Sequence, residues 1–328
     1  MSRAIRYARY GGPEVLTLDE VPLPEPGPGQ VRIAVRAAGV NGVDWKIRRG
    51  LMAQDSAHDR AHDRAHDRAH DRAHDSAPAE PSGTGVEVAG TVDAVGPGVD
   101  GWSAGQAVFG RVPSGGAATH ALAAAEDLLA KPDWLSFEEA AALPVAAETA
   151  HRALGQLKVR SGQTLLVHAV AGGVGLVAAQ LARARGVEVV GTASAVHHEF
   201  LRGLGVLPVV YGDGLAGRVR AVAPGGVDAV LDASGRDVLA VSVELAGAPE
   251  RVVTIADRRA AEYGVRFSTG SAGGGATLSE VFAEILPLME RGALRVPIER
   301  AFPLERTADA HRLSEAGHLR GKVVVTVP

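Results

Sequence analysis

The stretch TLLVHAVAGGVGLVAAQLARARG, residues 164–186, constrains this chain more than any other. TLLVHAV is a continuous apolar run that reads as a buried strand. A glycine-rich turn follows, and GLVAAQLARARG then has the periodicity of a helix closed by Gly186. A strand buried on both faces that runs directly into a helix belongs to a parallel sheet, because only a crossover returns the chain in the same direction. The next segments repeat the pattern. VEVVGTAS (187–194), PVVYG (208–212), VDAVLDASG (227–235) and ERVVTIAD (250–257) are short apolar runs ending in turn residues, with the helical HHEFLRGLG after the first. Together they predict an α/β domain with a doubly wound parallel sheet.

The first half of the chain follows a different rule. VRIAVRAAGV alternates apolar and polar positions after the stiff VPLPEPGPGQ, and residues 86–110 continue as short runs punctuated by Gly-Pro-Gly and Asp-Gly. This predicts a small, strand-rich, barrel-like domain. At Ser136 a helix begins, with Glu138 and Glu139 in its first turn. The tail has an amphipathic helix in LSEVFAEILPLMERGAL and a last strand in RGKVVVTVP that returns to the first domain. The division expected is 1–127 with 270–328 for the barrel-like domain and 128–269 for the parallel sheet.

Composition removes several function classes. The 328 residues suffice for two cores, and 46% hydrophobic with 22% charged residues is an ordinary globular balance. A net charge of −4, with Lys and Arg scattered outside one tract, leaves no basic stripe for nucleic acid. Neither a membrane span nor a signal peptide is visible, so the expected location is cytoplasmic. There are no cysteines, which excludes thiol chemistry and Cys-ligated zinc.

Residues 57–76, AHDRAHDRAHDRAHDRAHDS, place five histidines at four-residue spacing, a pattern that raises the question of a metal site. Four residues of α-helix advance 400°, so identical side chains drift by about 40° per repeat and wind around the rod. Like charges meet at i,i+4, relieved only by pairs such as Arg60 with Asp63. The tract reads as a low-complexity insertion, helical or disordered, within 51–82, and no metal site is expected.

The chemistry is expected at the glycine turn. Gly172, Gly173 and Gly175 let the backbone approach a pyrophosphate, which the helix N-terminus would receive on unpaired N–H groups. An NAD site usually carries an acid at the end of the second strand, but GTASAVHH has none before Glu199. Ser194 and His197 there suit a 2′-phosphate, so NADPH is the expected cofactor. Capping of the next helix would use the same residues.

The blocks GVNGVDWKIRRG, GTVDAVGPGVDGWSAGQAVFG, AALPVAAETAHRAL, VHAVAGGVG and LRGKVVVTV occur in an order that resembles the medium-chain dehydrogenase/reductase superfamily, in its zinc-free quinone oxidoreductase branch. The resemblance covers nearly the whole chain outside 51–82. It implies a GroES-like substrate domain built from both ends of the chain, a central Rossmann domain, a homodimer paired near 263–270, and NADPH-dependent reduction of a quinone or α,β-unsaturated carbonyl compound. It also implies roles for particular residues. Thr149 would face the nicotinamide and Tyr211 the 2′-phosphate, with further cofactor contacts at Ala171, Val174, Ser234, Ile255 and Ala256. Asn41, Asp44 and Lys46 match the floor of the substrate cleft and are the candidate catalytic residues, with the Asn41 amide or Lys46 as donor to an oxyanion. Asp44 could instead cap a turn or pair with Lys46. His168, on the buried strand, reads as a satisfied core histidine. Three departures stand out: Gly42 replaces a proline, Val170 fills a position normally small, and GGAATHALA lacks an aromatic. Two alternatives remain open, a biosynthetic enoyl or ketone reductase acting on a larger intermediate and a non-catalytic NADPH-binding regulator.

Overall fold

The computed structural model describes residues 1–52, 78, 80–270 and 275–328. The reading of the histidine tract therefore lies outside the described residues. The chain divides into two compact units: Met1–Pro144 with Ile298–Gly317 and Lys322–Pro328, and Val145–Pro297 with His318–Gly321.

The first unit opens with β1 (Ser2–Tyr7), β2 (Thr17–Val21), β3 (Gln30–Val40) and helix α1 (Gly42–Arg48). It continues through β4 (Ser82–Gly83), β5 (Glu87–Val95), β6 (Ala107–Arg111), β7 (His120–Ala124), β8 (Leu128–Ala130) and α2 (Phe137–Ala141). β3 is the organising strand. Its eleven residues are mostly buried, and it pairs antiparallel with β5 and β7. Such burial on both faces explains why QVRIAVRAAGV loses its polar alternation toward the end. Helix α2 starts as its sequence predicts, with Ser136 and Glu139 exchanging bonds across a capping box.

The second unit begins with α3 (Pro144–Leu157), β9 (Thr164–His168), α4 (Gly173–Ala184), β10 (Glu188–Thr192), α5 (His198–Gly203) and β11 (Leu207–Val209). Then come α6 (Leu215–Val222), β12 (Ala229–Asp232), α7 (Leu239–Ala246), β13 (Val252–Thr254), β14 (Arg266–Phe267) and α8 (Leu278–Glu290). The six strands are parallel in the order β11-β10-β9-β12-β13-β14. The order reverses beside β9, which is where a doubly wound sheet opens its ligand crevice at the strand C-termini.

The chain closes with β15 (Ile298–Pro303), α9 (Thr307–Ala316) and β16 (Lys322–Thr326). β16 inserts between β15 and β3, so the last strand does return to the first domain.

The boundaries differ from those expected at both ends of the sheet domain. Residues 128–144 belong to the first unit, since β8 pairs with β6 and Arg36 stacks on Phe137. Residues 275–297 belong to the second: Glu284 of α8 takes a bidentate pair from Arg185, and Gln180 bonds both the N–H and the carbonyl of Arg295. The signal missed was the polar side chain inside LVAAQLA, which has to find partners when buried. Among the described residues no helix is long and apolar enough to cross a membrane.

Candidate active site

The candidate residues fall into two sets, one on each unit. On the second unit, α4 starts at the N-cap Gly172, which places no side chain over the first-turn N–H groups. Gly175 has a steric reason. A Cβ there would lie 2.4 Å from the Ala169 carbonyl oxygen and 2.7 Å from Val170 Cα. The helix can sit this close to the turn only without a side chain. Val170, the bulky departure, is fully buried over Gly191 of β10, where a Cβ would come within 2.4 Å of Val170 Cγ1. The missing Cβ on one strand makes the space that the larger residue fills.

At the end of β10, Ser194 Oγ lies 3.2 Å from the Tyr211 hydroxyl, and His318 Nδ1 lies 3.3 Å from the hydroxyl and 3.5 Å from Ser194 Oγ. His197 joins the group by donating from Nε2 to the His318 carbonyl at 3.1 Å. The sequence brought Ser194, His197 and Tyr211 forward. His318 was missed, because it comes from a four-residue return near the chain end, held where Gly321 N–H donates to the Ala171 carbonyl at 2.8 Å. Neutral donors and imidazoles without a carboxylate suit an anionic phosphate, so this set fits a dinucleotide.

Under the crevice lies a hub the sequence reading overlooked. Asp232, fully buried at the end of β12, accepts on Oδ1 from Ser234 N–H, Ser234 Oγ and Gly235 N–H, and on Oδ2 from Thr254 Oγ1. Thr254 in turn accepts from the N–H groups of Ala256 and Asp257, and Ile255 N–H donates to the Asp232 carbonyl. The expected contacts Ser234, Ile255 and Ala256 are thus drawn together around Asp232, through its carboxylate, its backbone carbonyl and its partner Thr254. Val174 is half-buried in the first turn of α4, and Thr149 is half-buried on α3.

On the first unit, Asn41 is the N-cap of α1 and is buried. Its Nδ2 donates to Glu87 Oε1 at 2.8 Å, and Lys322 Nζ donates to Asn41 Oδ1 and, at 2.7 Å, to the same Glu87 oxygen. Glu87 has no exposed side-chain surface and Lys322 only 6%, so this is a buried ion pair clasping an amide. Gly39 makes the room: a Cβ there would stand 2.0 Å from Glu87 Oε1. Glu87 and Lys322 were absent from the sequence-based candidates. A lone acid inside VEVAG and a lone lysine opening VVVTV were the available signals, since charges in buried strands require partners.

Asp44 and Lys46 behave differently. Asp44 Oδ2 accepts from Asn41 N–H at 2.7 Å in the capping box, and Oδ1 is buried without a hydrogen-bond partner. Burial, and next in size among the raising effects the Glu87 charge, push its carboxyl up to about 7. The capping role is the one its geometry displays. Lys46 is half-buried with Nζ 5.7 Å from the Trp45 ring centre. Arg48, the last residue of α1, has no exposed surface; it donates from Nε to the Gly11 carbonyl at 3.1 Å, from Nη1 to His311 Nδ1 at 3.1 Å, and pairs with Glu315. The start of α1 is therefore held by Asn41 and Asp44 and its end by Arg48.

Two family models match the chain, an alcohol dehydrogenase GroES-like domain over residues 27–133 and a zinc-binding dehydrogenase domain over 204–325. The quinone oxidoreductase of Pseudomonas aeruginosa is 34% identical, over 99% of each chain. The protein is a medium-chain dehydrogenase/reductase of the quinone oxidoreductase-like branch. Its fold agrees: the Escherichia coli quinone oxidoreductase complexed with NADPH superposes with a TM-score of 0.83 at 26% identity, covering 99% of this chain and all of that one. This medium-chain reductase is also 36% identical, over 98% of its length, to the spectinabilin polyketide synthase system protein NorB of Streptomyces orinoci, of which it spans only 14%. The zinc of the family model does not suit these residues. The chain has no thiolate, and the polar cluster at Asn41 already encloses the Lys322 ammonium, which would repel a second cation in the same shell.

Proposed function

We propose that the protein uses NADPH, without zinc, to reduce a quinone or an α,β-unsaturated carbonyl compound. The acid-free group of Ser194, Tyr211 and His318 carries the reading, because two hydroxyls and an imidazole within 3.5 Å of each other can share a 2′-phosphate where a carboxylate would repel it. NADPH, when bound, supplies the hydride. The chain's own residues bind and orient. The turn at Gly172, Gly173 and Gly175 and the first N–H groups of α4 would hold the pyrophosphate, and Thr149 would meet the nicotinamide end. Asn41 would give its second Nδ2 hydrogen to the oxygen that becomes negative. Lys322, bonded to the Oδ1 of that amide, polarises it and strengthens the donor.

Calorimetric titration tests the cofactor. NADPH is expected to bind more tightly than NADH, and the difference to shrink when Ser194, Tyr211 and His318 are replaced by apolar residues. Equal or tighter NADH binding overturns the reading. Deuteride transfer from C4-labelled NADPH tests the reaction, with label expected on the β-carbon of an enone; label on a carbonyl carbon means a ketone reductase, and no transfer to any quinone or enone favours a regulator. The likeness to a polyketide synthase protein supports a second reading, enoyl reduction of a larger acyl intermediate, which would appear as turnover of extended acyl thioesters and not of simple quinones. A cytoplasmic homodimer formed along β14 belongs to the same proposal; Phe267 is exposed on this edge strand, which can accept a partner strand.

A further inference from the structure

Ala169, the residue that opens the glycine turn, has a φ of +55°, a left-handed conformation that a residue with a side chain adopts only when its surroundings hold it there. What holds it can be followed atom by atom. Ala169 N–H donates to Thr192 Oγ1 at 3.1 Å, Thr192 Oγ1 lies 3.3 Å from His168 Nδ1, His168 Nε2 lies 3.0 Å from Ser242 Oγ, and Ser242 Oγ donates to the Val238 carbonyl at 2.6 Å. His168, Thr192 and Ser242 are all buried, at 0%, 2% and 0% exposure, so no water completes these bonds from outside.

The ends of the chain of bonds set its direction. Val238 offers only a carbonyl, so the Ser242 hydroxyl spends its hydrogen there and must accept from His168. Nε2 therefore carries the imidazole proton. Nδ1 is then an acceptor, filled by the Thr192 hydroxyl hydrogen, which leaves the Thr192 oxygen to receive the Ala169 amide. Each hydrogen has one place to go.

We propose that His168 is a positioning residue for the dinucleotide: as the Nε2–H tautomer it closes a one-way relay that locks the Ala169–Gly172 turn, and with it the start of α4, in the shape that receives the pyrophosphate. The inference rests on the assignment of that turn to the cofactor. A second proton on Nδ1 would strand the Thr192 hydroxyl hydrogen and bury a charge. Burial holds the His168 imidazole down at about 4, against an opposing pull from Asp232, its register partner on β12. The relay therefore stays intact at neutral pH.

Binding of NADPH to the wild-type protein is measured first; if neither NADPH nor NADH binds, the cofactor reading itself falls. Given wild-type binding, His168→Leu is expected to weaken NADPH about tenfold, the scale of one buried hydrogen bond, with the turnover of the saturated enzyme changed far less. Thr192→Val should weaken binding similarly, and the double variant no more than either single one, because both cut the same relay. Should His168→Leu fail to fold, Ser242→Ala carries the test, since it removes only the terminal acceptor. A long-range proton–nitrogen correlation spectrum should find the His168 proton on Nε2, and NADPH affinity should fall as the pH drops toward 4. Folded variants with wild-type NADPH affinity, additive effects in the double variant, or a proton on Nδ1 would each overturn the proposal.

Discussion

Asn41 presents the sharpest test at the scale of single residues. One Nδ2 hydrogen and Oδ1 are committed to Glu87 and Lys322, so only the other Nδ2 hydrogen can act on a substrate. Asn41→Ala should lower kcat by about 10²–10³-fold, the usual loss for one oxyanion donor, with NADPH affinity nearly unchanged in a titration. Lys322→Met takes the paired cation from the buried Glu87 carboxylate and should destabilise the fold by about 3–5 kcal/mol in denaturant unfolding; Glu87→Gln in the same chain should return part of it. Asn41 entered the candidate set through the resemblance of GVNGVDWK to the floor of the family's substrate cleft. Its clamp did not, since Glu87 and Lys322 lie 46 and 281 positions away and only strand pairing brings them together. Val170 is the converse case. It read as a misfit in isolation and is a fit beside Gly191, so Gly191→Ala should disturb the turn as much as any change within it, measurable as a fall in thermal stability.

Among elements, α1 carries a buried capping box at its start and the buried Arg48 at its end, and its titration has a definite sign. Asp44 ionises near its ordinary 3.8 in the unfolded chain but only at about 7 when folded. Between those values the native state binds the extra proton, so this group's contribution is full below about pH 4 and is lost as the pH rises through 7. Asp44→Asn removes the titration, and its stability relative to wild type should improve steadily across that window in urea melts. His311 and His168 work in the opposite sense. Burial, with the Arg48 charge second, lowers His311 to about 3, so its contribution is present above its ordinary 6.5 and lost toward acid. The regular elements themselves were largely readable: the Ser136 capping box, the glycine-initiated α4 and the apolar β9 follow local rules that a sequence displays directly. The ends of the sheet domain were not. Residues 128–144 and 275–297 are assigned by partners far away in the sequence, such as Phe137 with Arg36 and Glu284 with Arg185, and the buried Gln180 alone hints at the second of these.

At the scale of the whole molecule, the histidine repeat is the first thing to remove. It lies outside every block that resembles the family, so replacing residues 55–77 by a short Gly/Ser linker should leave NADPH affinity intact and quinone turnover only modestly changed. Activity lost on replacement, and dependent on one metal in the intact chain, would reverse this. Light scattering at micromolar concentration should give twice the monomer mass if β14 pairs with a second copy. The path of the chain also has an outcome during synthesis. His318–Gly321 belong to the nucleotide unit although 20 residues of the other unit, Ile298–Gly317, separate them from Pro297. A ribosome that has released residue 297 has made the whole parallel sheet, but neither His318 nor the Gly321 bond to Ala171 yet exists. The nascent domain can fold early and still lack a finished pocket. An excised fragment of 145–297 should likewise be well folded by circular dichroism and a poor binder, whereas a fragment with 318–321 spliced directly after 297 would let the dinucleotide domain mature as one continuous piece.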